Sequence, residues 1–198
     1  MSLARKFCAR AALQSAAMRP YLFGVLAAGW IVWMIPFFLT RGGGPAQTRD
    51  RRARWGIIIQ GVGFSILWMN NYWVRSPSIG RIVASIAFLI LGSVLSWTSA
   101  RTLGRQWRFD AGLNADHQLV QSGAYRFVRH PIYASMLCML LGTGFLVTPA
   151  LMLLVSVVLF FIGVEIRIHI EDALLASRFG DAFRDYQRRV PAYLPFIR

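Results

Sequence analysis

Apolar residues gather along the chain in five runs that approach the length of about 20 residues a helix needs to cross a bilayer. They extend from about Tyr21 to Leu39, Trp55 to Val74, Ile79 to Ala100, Ile132 to Val147 and Ala150 to Val164. Only Thr148 and Pro149 part the last two, which predicts a tight helical hairpin of two short spans. Between the first two runs, RGGGPAQTRDRRAR has no periodicity and the Gly, Pro and Arg content of a loop, and it is assigned no chemistry. Beyond the fifth run, LLASRFGDAFRDYQRRV is compatible with a helix that Pro191 and Pro195 close and that folds back as a lid over the hairpin's open end. No GxGxxG follows a strand pattern, so no Rossmann sheet is expected. The fold class these runs predict is all-α integral membrane, with about five transmembrane helices and a C-terminal helical hairpin.

Composition supports the bilayer as solvent. Of 198 residues 56% are hydrophobic and 15% charged, more apolar surface than one soluble core of this size would hide. The formal charge of +14 is almost all arginine, since Lys6 is the only lysine. These arginines lie between apolar runs and form no basic stripe with interleaved aromatics, which favours loops facing anionic headgroups over nucleic acid. Residues 1–19 carry Arg5, Lys6, Arg10 and Arg19 with no acid and read as an amphipathic interfacial segment. Cys8 and Cys138 are too few for a disulfide framework or a structural zinc site and are expected to be free thiols.

Charge also orients the layout. With the N-terminus outside, 16 of the 22 basic residues fall on the cytoplasmic side and 6 on the other, which puts the 101–131 loop and the C-terminal tail together in the cytoplasm. His117, His130 and His169 lie on that face, and seven of the eight acids lie at or beyond Asp110. The chain thus divides into an apolar scaffold, 1–100, that supplies a lipid groove, and a functional half, 101–198.

Three segments in that half carry the candidate chemistry: His117-Gln118-Leu119-Val120 with Tyr125, then Arg129-His130-Pro131-Ile132-Tyr133, then Arg167 with Glu171 and Asp172. Each has an ordinary structural reading. Pro131 suits the first position of a helix, where its missing N–H costs nothing. Tyr125 and Tyr133 fit an aromatic belt. Arg167 and Glu171, four residues apart, fit a helix-surface ion pair. Taken together they make two polar walls, because a hairpin brings the start of its first helix beside the end of its second.

The run LVxxGxYxxxRHPxY (Leu119 to Tyr133), then RxxxE(D/E)xLLxxxFGxxFxxY (Arg167 to Tyr186), then RVPxxLPFI (Arg189 to Ile197), resembles the isoprenylcysteine carboxyl methyltransferases and their prokaryotic relatives. The resemblance covers residues 101–198. It implies a membrane enzyme that transfers a methyl group from S-adenosylmethionine to a lipophilic acceptor, a prenylated cysteine or another lipid, from a cytoplasmic cofactor pocket. It implies that His117, Gln118, Leu119, Val120, Tyr125, His130, Pro131, Ile132 and Tyr133 line that pocket, that Glu171 holds the cofactor's methionine end, and that Arg167 faces the acceptor's carboxylate as the catalytic residue. This chain has His169 and Ile170 where relatives with a longer acidic run have acids.

A carboxylate acceptor is already ionised at neutral pH and needs no general base. A lipid amine or phospholipid acceptor would need one, from His169 or His130. A non-catalytic transporter or assembly protein is the third reading, and intramembrane charges in several spans would mark it. No charge lies inside the spans before Glu165 apart from Arg81, near the start of the third.

Overall fold

The computed structural model describes residues 20–40, 48–108, 111–113 and 117–193. The expected interfacial segment 1–19, Cys8, residues 41–47 of the Gly-rich loop and Pro195 lie outside these residues. Six helices are described: α1 (Pro20–Leu39), α2 (Ala53–Ile66), α3 (Ile79–Leu103), α4 (Pro131–Val147), α5 (Ala150–Phe179) and α6 (Asp181–Arg189). A short antiparallel ladder joins β1 (Thr48–Arg49) to β2 (Gly112–Leu113).

Four of the five apolar runs are helical throughout, and the second is α-helical only as far as Ile66. By length and composition α1, α3 and α5 can cross a membrane, and α4 is apolar but shorter. Only 28%, 22% and 33% of the three spanning windows is buried inside the protein, so most of their apolar side chains face outward. Phe38, Ile79 and Leu151 are each more than 70% exposed. Lipid is the solvent that tolerates such a surface, and the protein is an integral membrane protein.

Two expectations are corrected. The second run is not a span to Val74: α2 stops after 14 residues. Asn70 stops it, donating from Nδ2 to the Leu67 carbonyl (2.7 Å) while its Oδ1 accepts the Tyr72 N–H (2.7 Å) and turns the chain into a 3-10 segment. The fifth run does not end at Val164. α5 runs on for 30 residues to Phe179, so Arg167, Glu171 and Asp172 sit on its polar extension. It breaks at Gly180, whose φ of +55° suits glycine, so the stretch from Leu174 to Val190 expected as one returning helix is divided: its first part continues α5, and only α6 turns back as the lid.

The hairpin's two helices touch little along their length. α4 packs on α3, which also receives α1, and α5 packs on α2. Leu140, Leu146, Val147, Phe160 and Val164 are fully buried in these seams. The α2–α5 crossing is close because Gly56 faces Gly163: a Cβ on Gly163 would stand 2.6 Å from the Gly56 carbonyl oxygen, and one on Gly56 2.6 Å from Cγ of Arg167. Indole hydrogen bonds from Trp30 to Thr143 (3.1 Å) and Trp33 to Ser135 (3.0 Å) tie α1 to α4. At the hairpin turn Arg81 donates to the carbonyls of Gly144, Phe145 and Thr148, capping the C-terminus of α4.

Candidate active site

At the other end of the helices, where α4 begins and α5 leaves its apolar stretch, a cavity of about 360 Å³ opens. A volume of this order falls within the range of small-molecule sites. Nine of the ten residues expected around a cofactor line it: His117, Gln118, Leu119, Val120, Tyr125, His130, Ile132, Tyr133 and Glu171. Arg167 lines it too. Pro131, the tenth, is buried at the first position of α4 and is not part of the wall.

The floor is an interlocked charge cluster. Tyr133 Oη donates to Glu171 Oε1 (2.5 Å) and accepts from Arg167 Nε (2.6 Å), while Arg167 Nη2 donates to the same Oε1 (3.1 Å). His130 stands between two carboxylates, Nε2 2.9 Å from Asp172 Oδ1 and Nδ1 3.5 Å from Glu171 Oε2. Arg129 Nη2 and Gln187 Nε2 each reach Asp172 Oδ2 at 3.2 Å. Burial opposes a charge on His130, but Asp172 and Glu171 more than offset it and raise its pKa to about 9. With both ring nitrogens facing acceptors it is an imidazolium at neutral pH. Arg129, His130 and Arg167 then outnumber Glu171 and Asp172 by one positive charge, favourable to an anion.

The lid is held over this floor by polar contacts. Tyr186 Oη donates to the Tyr125 carbonyl (2.5 Å), and Arg129 Nη1 donates to the carbonyls of Gln187 (3.1 Å) and Val190 (2.5 Å). The backbone N–H groups of Arg129 and His130 donate to the carbonyls of Pro191 and Ala192 at 2.8 and 2.7 Å. Phe183 and Tyr186 of α6 face the cavity. Burial pushes the Tyr186 phenol up to about 12, so it is a neutral donor. Tyr125 is raised as well, first by burial and then by the charge of Glu171.

Several lining residues come from parts of the chain for which the sequence names a scaffold with a lipid groove, or a loop, and no individual residues. Trp33, Met34 and Phe37 of α1 and Ile57 of α2 form an apolar wall. Gln60 of α2 lines the cavity as well, as do Gln106 and Trp107 beyond α3. The loop between α1 and α2 also takes part, because its β1 ladder and the bond from Asp50 N–H to the Ala111 carbonyl (3.2 Å) hold the lining residues Ala111 to Leu113 in place. No sequence signal marks the wall, since apolar residues in a span look alike. His169 is not part of the site: its side chain is 83% exposed and lies 3.8 Å from Glu165.

Residues 85–177 match the model of the isoprenylcysteine carboxyl methyltransferase (ICMT) family. The chain is 32% identical over 116 residues to the protein-S-isoprenylcysteine O-methyltransferase of Schizosaccharomyces pombe, covering 58% of this chain and 49% of the relative. It is 33% identical over 110 residues to that of Tribolium castaneum, covering 54% and 39%. It is also 32% identical over 150 residues to the cobalt-zinc-cadmium resistance protein CzcN of Cupriavidus metallidurans, covering 75% and 65%. The solved structure of the eukaryotic intramembrane Ras methyltransferase ICMT superposes with a TM-score of 0.57 at 25% identity, covering 75% of this chain and 54% of that one. The chain therefore spans about half the length of the curated isoprenylcysteine methyltransferases just described.

Proposed function

We propose, from the match of residues 85–177 to the isoprenylcysteine carboxyl methyltransferase family model, that the chain transfers a methyl group from S-adenosylmethionine to the carboxylate of a lipophilic acceptor of the prenylcysteine kind. The observation that carries this reading is the convergence on one cavity of the segment 117–133, Glu171 and Arg167, against an apolar wall from α1 and α2.

The residues present fit such a cofactor. Gln106 Oε1 and Arg129 Nε are buried without a hydrogen-bond partner among the described residues, and both residues line the cavity, as expected where a polar group is to be bound. Glu171 would hold the cofactor's ammonium, with roughly one of a carboxylate's four acceptor positions still open after Tyr133, Arg167 and His130. The cationic side of the cluster suits its carboxylate. When bound, the cofactor supplies an electrophilic methyl: the C–O bond to the acceptor forms as the C–S bond breaks, and the electron pair stays on sulfur.

The chain's own work is to position groups and exclude water. Tyr133 and Glu171 fix the plane of the Arg167 guanidinium, so its fork is set before an acceptor carboxylate arrives. The lid keeps water from the reacting atoms. The apolar wall takes the acceptor's lipid part from the bilayer, with residues 1–100 as scaffold and 101–198 as catalytic half. The 16 to 6 division of basic residues puts the cavity on the cytoplasmic side.

An amine acceptor would need a base. His130 is held protonated between two carboxylates, and His169 lies outside the cavity, which leaves His117 alone for that role. The deciding experiment incubates purified protein with methyl-labelled S-adenosylmethionine and a panel of prenylcysteines, fatty acids and phospholipids. Label in an alkali-labile ester supports the carboxylate reading. Label confined to lipid amines overturns it.

A further inference from the structure

Buried polar groups in the helix seams are paired. Ser85 donates to the Gly142 carbonyl (2.6 Å), Ser96 to Trp33 (2.7 Å), Thr148 to Leu67 (2.8 Å) and Ser156 to Met152 (2.9 Å). Gln60 breaks this pattern. Its side chain sits on α2 with the residue only 3% exposed, and Nε2 has no hydrogen-bond partner among the described residues. An amide left in that state is destabilising, a cost a helix seam would not carry without a use for it.

Position says what the use is. Gln60 lines the cavity one helical turn after Gly56, the glycine against which the stem of Arg167 packs, and its own Cγ abuts Gly163 one turn before Arg167. The α2–α5 crossing thus brings Gln60 and Arg167 together at the wall of the same cavity. The other groups that α1 and α2 give to the cavity are Trp33, Met34, Phe37 and Ile57, and the Trp33 indole N–H is committed to Ser135. Gln60 is therefore the polar residue that α1 and α2 bring to the apolar wall with a side-chain donor not already committed.

Resting on the proposed carboxyl methylation, we propose that Gln60 is a specificity-determining residue for the acceptor: its carboxamide N–H donates to one carboxylate oxygen while Arg167 engages the carboxylate from α5. A neutral donor suits the task, since it orients the nucleophilic oxygen without adding a second full charge that would hold its electrons. Against a lipid amine the same amide would present its oxygen, and a glutamate in its place would improve the fit.

The test compares wild type, Gln60→Met and Gln60→Glu with N-acetyl-S-farnesylcysteine as acceptor. Methionine keeps the length and packing against Gly163 while removing the amide. Steady-state methyl transfer gives kcat and KM, quenching of tryptophan fluorescence gives acceptor binding without turnover, and calorimetry gives S-adenosylmethionine affinity. Gln60→Met is expected to weaken acceptor binding and raise KM about 10- to 100-fold, the loss for one hydrogen bond to a charged group, with cofactor affinity unchanged and the thermal midpoint as high as wild type or higher, since the unpartnered amide is gone. Gln60→Glu is expected to be worse still. If wild type methylates the probe and Gln60→Met keeps the wild-type acceptor KM and binding, the Gln60 assignment fails alone. If wild type transfers no methyl to any carboxylate, the proposed function fails and this inference with it. A Gln60→Glu protein that loses the probe and gains activity on a lipid amine supports the placement of Gln60 against the acceptor.

Discussion

Ser96 is buried and Glu171 largely so, and the protein treats these two polar groups differently. In the seam between α1 and α3, Ser96 closes on the carbonyl of Trp33 and needs nothing more. At the cavity, Glu171 is gripped from three sides, and around it Gln60, Gln106 and Arg129 each keep a buried atom without a partner among the described residues. One region spends its polar groups on its own backbone; the other holds charges in place and leaves valences open. The first is what a helix bundle in lipid requires. The second has a use only if another molecule completes it.

The largest effect expected from breaking this contrast is at Glu171. Glu171→Ala leaves Arg167 and His130 buried without their shared carboxylate. Calorimetry on detergent-solubilised protein should show S-adenosylmethionine binding weakened by about 2 to 5 kcal/mol, the range for truncating one partner of a desolvated charge pair. Unchanged affinity would mean that the cluster is scaffold after all.

Next comes the crossing that joins the two regions. In Gly163→Val a Cβ would stand 2.6 Å from the Gly56 carbonyl and 2.8 Å from Cγ of Gln60, so α2 and α5 must part. Overpacking of this kind costs about 1–3 kcal/mol. A lowered thermal midpoint together with weakened acceptor binding is expected. A lowered midpoint with wild-type acceptor binding would separate the crossing from the site.

Arg167→Lys sharpens the comparison inside the site. The charge survives but the planar fork and its bond to Tyr133 do not. Single-turnover methyl transfer to a prenylcysteine at saturating cofactor should slow by roughly 10-fold, about 1.4 kcal/mol, with cofactor affinity nearly intact. As the counterpart in the scaffold, Ser96→Ala should lower stability by about 1 kcal/mol and leave acceptor KM alone.

Much of both regions was legible in the sequence, for different reasons. Spans show because about 20 apolar residues in a row have few other uses. The start at Pro131 was readable because proline acts locally, whereas the break at Gly180 was not, since Leu174 to Val190 reads as one helix-compatible stretch and only the positive φ of Gly180 divides it. The length of α2 was not, since the side chain that stops it, Asn70, is polar within an apolar run and acts through two hydrogen bonds no periodicity reveals. The charged floor was readable because ionisable residues near a membrane are few. Gln60 and Trp33 were not, because only the packing of α2 on α5 and of α1 on α4 brings them to the cavity.

The smallest effect concerns pH, and it tests whether His130 belongs to the floor as a fixed charge or works as a base. Its pKa in the folded protein, about 9, lies above the ordinary 6.5, so the stability its charge contributes is complete below about 6.5 and is lost as pH rises through about 9. An acceptor carboxyl, with an ordinary pKa of about 3.5, is ionised throughout that range. Methyl transfer to a prenylcysteine should therefore change little between about pH 6.5 and 8.5, because neither the acceptor nor most of His130 titrates there. Above about pH 9 the cluster loses its net positive charge, and both cofactor affinity and thermal midpoint should fall together. His130→Gln keeps hydrogen-bonding capacity toward Asp172 without a titrating charge. That variant should bind the cofactor more weakly at neutral pH and lose the alkaline drop. A rate that instead climbs steeply through pH 7 to 8.5, and flattens in His130→Gln, would make His130 a proton acceptor and shift the reading to an amine substrate. The carboxylate reading requires the flat profile, since a nucleophile that arrives ionised gives a base nothing to remove.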